Sequence, residues 1–188
     1  ISLQTKQIAA LTLDQIVAIT TRNTETLLSD KIVALTTAQA QILTTRQIVA
    51  LASTQLVAME TADFAALTSD RLASLTSTQV GALTTDQLVA LSTQQASAMT
   101  ATQVKGFTTA QLSKLETQDL AAFTTSAVAG LSGAQLSGLT TDEIRSITTA
   151  QVSAIAATAL RSLTTAQIQA LTSDQLPELT TAQFNALT

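Results

Sequence analysis

Large apolar residues recur along this chain with a period of eight. Starting at Leu3, the 188 residues divide into 23 octads without an insertion or deletion, and Leu187-Thr188 opens another. Position 1 of the octad is apolar in all 23 copies and position 6 in 22, Thr24 being the exception. Position 8 is Ala, Gly or Ser in 19. The polar columns are as regular: Thr or Ser at position 2 in 17 copies, Thr or Ser at position 3 in 19, and Gln, Glu or Asp at position 5 in 18. The consensus reads Leu-Thr-Thr-(Ala/Asp)-Gln-(Ile/Leu/Val)-x-Ala, as in Leu83 to Ala90, Leu43 to Ala50 and Leu163 to Ala170.

No single regular element carries this pattern. On one continuous helix, at about 100° per residue, an eight-residue stripe would drift around the axis. On one strand, positions 6 and 8 share a face but the next position 1 points away. The backbone must therefore change direction inside every octad, and the polar columns say where. With Thr at position 2 as a helix N-cap, position 5 becomes N3, and Thr-x-x-Gln is a capping box. Positions 1 and 6 are then the two partners of a hydrophobic staple. Charge follows the same assignment. Nine of the 13 acidic residues stand at positions 4 and 5, near the positive end of a helix dipole, and Lys105, Lys114, Arg145 and Arg161 fall in the last turn.

Each octad is thus expected to form a helix of about six residues, from position 3 to 8, before the next Leu-Thr restarts the chain. Small residues at position 8, including Gly106, Gly130 and Gly138, suit a tight helix end or a close backbone approach. The faithful position-3 column is not explained by capping alone. Either the cap shifts to position 3 in some copies, as Met59-Glu60-Thr61 and Leu115-Glu116-Thr117 suggest, or these hydroxyls bond between layers. Pro177, which lacks an N–H, should shorten its helix.

One octad cannot fold alone. Burying two large side chains does not offset the entropy of ordering eight residues. Stacked copies can share one core, so the expected fold is an all-α solenoid of very short helices, one per repeat. Positions 1, 6 and 8 would face the core, and positions 4 and 7 water. Neighbouring octads never share a position-4 residue, while octads two apart match in 5 of 21 pairs and three apart in 6 of 20. Two or three repeats per coil are both compatible with this. The alternative fold is a β-solenoid, favoured by Thr, Val and Ile and disfavoured by Ala, Gln and Leu. The unbroken register makes residues 1–188 a single repeat array. A near-consensus last copy, and a further unit begun at Leu187, suggest a segment of a longer chain or polymer.

The octad resembles tracts of long, low-complexity secreted or surface proteins of proteobacteria, and the resemblance covers residues 3–188. It implies an extracellular or cell-surface spacer, stalk or fibre-forming region without catalytic residues. The most divergent copy is Ile19 to Thr26, which could mark local disorder or a contact site.

Composition points the same way. The chain has no Cys, His, Trp or Tyr, which excludes disulfides, ordinary zinc sites and His- or Cys-based nucleophilic catalysis. Charged residues are 12% and the net charge is −4, with nine scattered cations, so no nucleic-acid footprint is expected. No apolar run is long enough to span a bilayer, and no signal peptide is visible. The acid pairs Glu60/Asp63 and Asp142/Glu143 read as helix-terminus charge, and one scattered acid per octad does not make a calcium site. Phe64, Phe107, Phe123 and Phe184 occupy core columns. No catalytic, cofactor-binding or metal-binding residue is assigned, and no enzyme activity is expected. The expected partner is self, end to end or laterally. The alternatives are a Thr array displayed to a polysaccharide or ice surface, and a protein-binding scaffold with a concave groove.

Overall fold

Where a cap is characterised, position 2 of the octad sits in extended backbone, and an α-helix starts at the next residue. The computed structural model describes residues 3–19 and 29–187. The divergent copy at 19–26 therefore lies, apart from Ile19, outside the described residues. The described residues form twenty-one α-helices and one 3-10 turn, and contain no strand. The chain is an all-α solenoid, and the β-solenoid alternative is discarded. The helices are four to seven residues long, and all begin at position 3. Among the caps characterised, position 2 has φ between −86° and −58° and ψ between 132° and 163°.

The helix start stays at position 3 even where position 2 is Glu60, Glu116, Ala52 or Ala156. The expected shift of the cap in the Glu60 and Glu116 copies does not occur. Packing holds the register when the cap itself is missing, because the apolar columns at positions 1 and 6 are unchanged. At Pro177 the helix does shrink, to the 3-10 turn Leu176–Glu178.

The core forms from two columns. In the described copies position 6 is 0–1% exposed from Ile8 to Leu160, and position 1 is under 10% exposed from Leu35 to Leu171. Phe64, Phe107 and Phe123 are buried as expected, with the rings of Phe107 and Phe123 stacked 6.3 Å apart. Phe184 departs from expectation: it is 56% exposed. It lies in the last coil, where no further layer covers it. Position 8 is corrected in part. Its Ala, Gly and Ser residues are mostly half-exposed: Ala170 lies in the core and Ala34 and Ala122 pack against it, while Gly106, Gly130 and Gly138 lie against a neighbouring coil.

The helices most closely packed on one another are three octads apart, for example Leu13–Ala18 with Thr37–Ile42, and Thr93–Ser97 with Thr117–Ala122. Two octads per coil is therefore excluded. The stacking is also offset. Hydrogen bonds between coils join residues 25 to 31 apart in sequence, so one coil takes between three and four octads. Position 8 of one coil comes to rest on position 3 of the coil below.

That approach explains the glycines. No described residue has a positive φ, so none of them is needed for a left-handed turn. A Cβ on Gly106 would instead lie 2.2 Å from the backbone oxygen of Ser77, and one on Gly130 2.9 Å from that of Ala101. Gly106→Ala is expected to destabilise the array by about 1–3 kcal/mol through overpacking, despite the better helix propensity of Ala. Denaturant unfolding followed by circular dichroism would measure it, and an unchanged midpoint would contradict the close approach.

Candidate functional site: the glutamine ladder

The most heavily built feature of the molecule is the Gln at position 5. In the local helix it is N3. Its Oε1 accepts the backbone N–H of position 2 at 2.6 to 3.1 Å, while the position-2 hydroxyl accepts the Gln N–H at 3.1 to 3.3 Å. Gln7, Gln15, Gln39, Gln47 and Gln111 are typical of the first of these bonds. This is the capping box the spacing predicts.

The other end of the same side chain does something the local pattern does not announce. Nε2 donates downward to the coil below, to the position-1 carbonyl 28 residues earlier. Gln47 donates to Ile19 at 2.9 Å, Gln87 to Met59 at 3.0 Å and Gln183 to Ile155 at 2.6 Å. A second acceptor is usually the position-6 carbonyl 31 residues earlier, such as Ile16 for Gln47 at 2.8 Å. Those carbonyls lie where one short helix ends and the next begins. Each Gln thus caps its own helix start and clamps the helix junction beneath it. The side chains are 1–6% exposed from Gln39 onward, whereas Gln7 and Gln15, in the first coil, are exposed.

Among the departures from Gln, one reaches the carbonyl below and the others turn elsewhere. Arg71 keeps a donor: its Nε donates to the Leu43 carbonyl, 28 residues back as in the Gln copies. Lys31 is turned to its neighbour Asp30 at 2.7 Å, which lowers the Asp30 carboxyl pKa. Asp63 has no donor and instead accepts the Thr37 hydroxyl at 2.7 Å. Glu143, 2% exposed, accepts the cap N–H of Thr140 at 2.5 Å. Asp119 is 1% exposed, and its Oδ1 has no hydrogen-bond partner. Desolvation pushes its carboxyl above the ordinary value of 3.8; the Thr93 hydroxyl opposes this and Glu116 adds to it.

The acid pairs singled out in the sequence are not brought together as reactive pairs. Glu60 is exposed while Asp63 is buried against Thr37. Asp142 is exposed and paired with Arg145 at 2.7 Å, while Glu143 points into the ladder. Among the described residues no group of three His, Cys, Asp or Glu could hold a metal ion. A shallow depression lined by Gln41, Thr68, Ser92 and Gln94 holds no ionisable side chain. Ser and Thr at position 3 are exposed or half-exposed in every described copy. They bond between coils in a few places, as Thr37 does to Asp63 and Ser69 to the Gln94 carbonyl at 3.5 Å.

The model of the ALTTAQ repeat matches residues 56–93, 112–149 and 144–181, together more than half of the chain. The chain belongs to the ALTTAQ repeat family. No curated protein and no solved structure matches it. The six letters of the family name, taken as residues, stand verbatim at Ala34 to Gln39. In the octad frame an ALTTAQ string runs from position 8 through position 5. It therefore covers the interlayer contact, the core Leu, the cap and the clamp.

The ladder predicts opposite outcomes for two substitutions. Gln111→Ala removes the bonds to Val80, Gly81 and Leu83 and half a capping box, and is expected to cost about 1–3 kcal/mol. Asp119→Gln restores a donor and is expected to stabilise the protein at neutral pH by a similar amount. Because the folded-state pKa of Asp119 is raised, its penalty is present at neutral pH. It shrinks as the pH falls through that raised value, and is gone below 3.8. The gain from Asp119→Gln should therefore be largest near pH 7 and fade on acidification. Melting curves of the two proteins across pH would check this, and a gain independent of pH would refute it.

Proposed function

We propose that this chain is a structural element: a rod-like spacer or fibre-forming region at a bacterial surface, associating with further copies of the same repeat. The observation that carries the reading is the ladder itself. The most regular chemistry of the molecule is spent on holding coil to coil, with one amide serving both cap and clamp in most octads. The low overall charge supports it. Position 4 is exposed in every described copy and carries Asp in six of them, but charged residues make up only 12% of the whole chain, which leaves little repulsion to oppose lateral contact.

The first and last described coils each leave a face uncovered. Gln7 and Gln15 are exposed, unlike the position-5 Gln residues from Gln39 onward, and Leu3 and Leu13 are exposed as well. At the opposite end Leu176 and Phe184 are exposed. A further coil of the same repeat would satisfy both faces, whether it belongs to the same chain or to another copy.

Electron microscopy and light scattering of the purified chain over a range of concentrations test the proposal. Elongated particles that lengthen with concentration are expected, and Gln7→Glu with Gln15→Glu should suppress the lengthening, since a carboxylate cannot donate to a carbonyl. Compact particles of fixed size at every concentration would rule against it. A second reading, display of hydroxyls to a polysaccharide or to ice, draws support from the exposure of position 3. The offset between coils counts against it, because stacked octads do not fall into straight columns on one flat face.

A further inference from the structure

The ladder is not uniform along the chain. In the five octads from 75 to 114, position 5 is Gln throughout, and every one donates to the coil below. The three octads from 163 to 186 are alike in this. Between them lie six octads, 115–162, in which position 5 is Asp119, Ala127, Gln135, Glu143, Gln151 and Ala159. Only Gln135 and Gln151 clamp, onto Phe107 and Phe123. The other four have no amide to offer the carbonyls 28 residues back, those of Leu91, Met99, Leu115 and Leu131.

Two independent features coincide with this gap. Capping weakens: Glu116 and Ala156 form no side-chain cap bond, and Thr124 caps without a Gln to complete the box. Backbone freedom also rises, since three of the five glycines, Gly130, Gly133 and Gly138, fall here, and Gly133 is the first residue of its helix. The apolar core does not thin out. Leu120, Val128 and Leu136 are 0% exposed, and the Phe107–Phe123 stack lies at its edge.

We propose that residues 115–162 form a joint built into the solenoid, the stretch where coils part first while the blocks on either side stay stacked. In a repeat array, local stability is the sum of unit terms and nearest-neighbour interfaces, so missing clamps lower it where they are missing. The weakness sits in the polar shell. The joint can therefore loosen without exposing a break in the apolar core. This inference rests on the missing clamps, the weakened caps and the glycines of this stretch, and does not require the surface role proposed above.

Hydrogen exchange of the 188-residue chain, read by mass spectrometry, tests it. Amides in 115–162 are expected to exchange at least about tenfold faster than those in 75–114, the factor that 1.4 kcal/mol of local stability corresponds to. A chain carrying Asp119→Gln, Ala127→Gln, Glu143→Gln and Ala159→Gln should bring the two blocks to the same protection. Protection that declines smoothly from the middle of the chain to its ends would overturn the proposal. So would a dip at 115–162 that the four substitutions leave unchanged.

Discussion

A primary amide has one strong acceptor and two donors, and this fold needs both kinds at one point. Among the described octads nearly every one ends one helix and starts another, so unpaired N–H groups and unpaired carbonyls recur about every eight residues. The N–H groups belong to the new helix, and the carbonyls that matter lie at the junction one coil below. Gln at N3 stands between them and satisfies both ends without a bound water or a charge. Glu has the length but lacks the donor, as Glu143 illustrates by serving only the cap. Asp is shorter and lacks the donor as well, and Ala127 and Ala159 offer neither function. Arg71 has donors only: it reaches the Leu43 carbonyl but leaves Thr68 without its reciprocal bond.

This coupling makes helices of four to seven residues tolerable. Such helices do not persist in isolation, because nucleation is costly. Here the nucleus is held from outside. The capping box orients the first turn, the position-6 side chain anchors it in the core, and Nε2 ties its start to the coil beneath. Local and interlayer order are then one event. Loss of a clamp loosens both a helix start and a layer contact.

The division between what could be read from the residues and what could not follows from range. Capping is a contact of residues three apart, so the positions of helix starts and the core columns 1 and 6 were legible. The clamp joins residues 28 and 31 apart, and no eight-residue pattern reports that distance. The Gln column was therefore assigned its local half alone, and Gln39 at 2% exposure was the part missed. The same blindness left two and three octads per coil tied, since side-chain identity at an exposed position hardly depends on what lies in the next layer. Position 8 misled for a related reason. Its small residues answer to backbone approach between coils, as Gly106 over Ser77 shows, and only coordinates separate that from core burial or a tight turn.

The Asp copies carry the argument one step further. Asp63 and Asp119 both follow a Glu at position 2, so cap and clamp are lost together in the same octads. That pairing makes physical sense. Once N3 can no longer reach back to the cap, a Thr at position 2 loses its reciprocal partner, although Thr68 and Thr124 still stand there opposite Arg71 and Ala127. The Asp then turns to a different donor, the position-3 hydroxyl of the coil below. Thr37 serves Asp63 in this way, and Thr93 stands in the matching place for Asp119. Position 3 thus has an interlayer role after all, but a conditional one. A Thr or Ser there costs nothing in solvent when the residue above is Gln, and supplies a donor when it is Asp. A column can be retained because it tolerates substitution elsewhere, without being used in most of its copies.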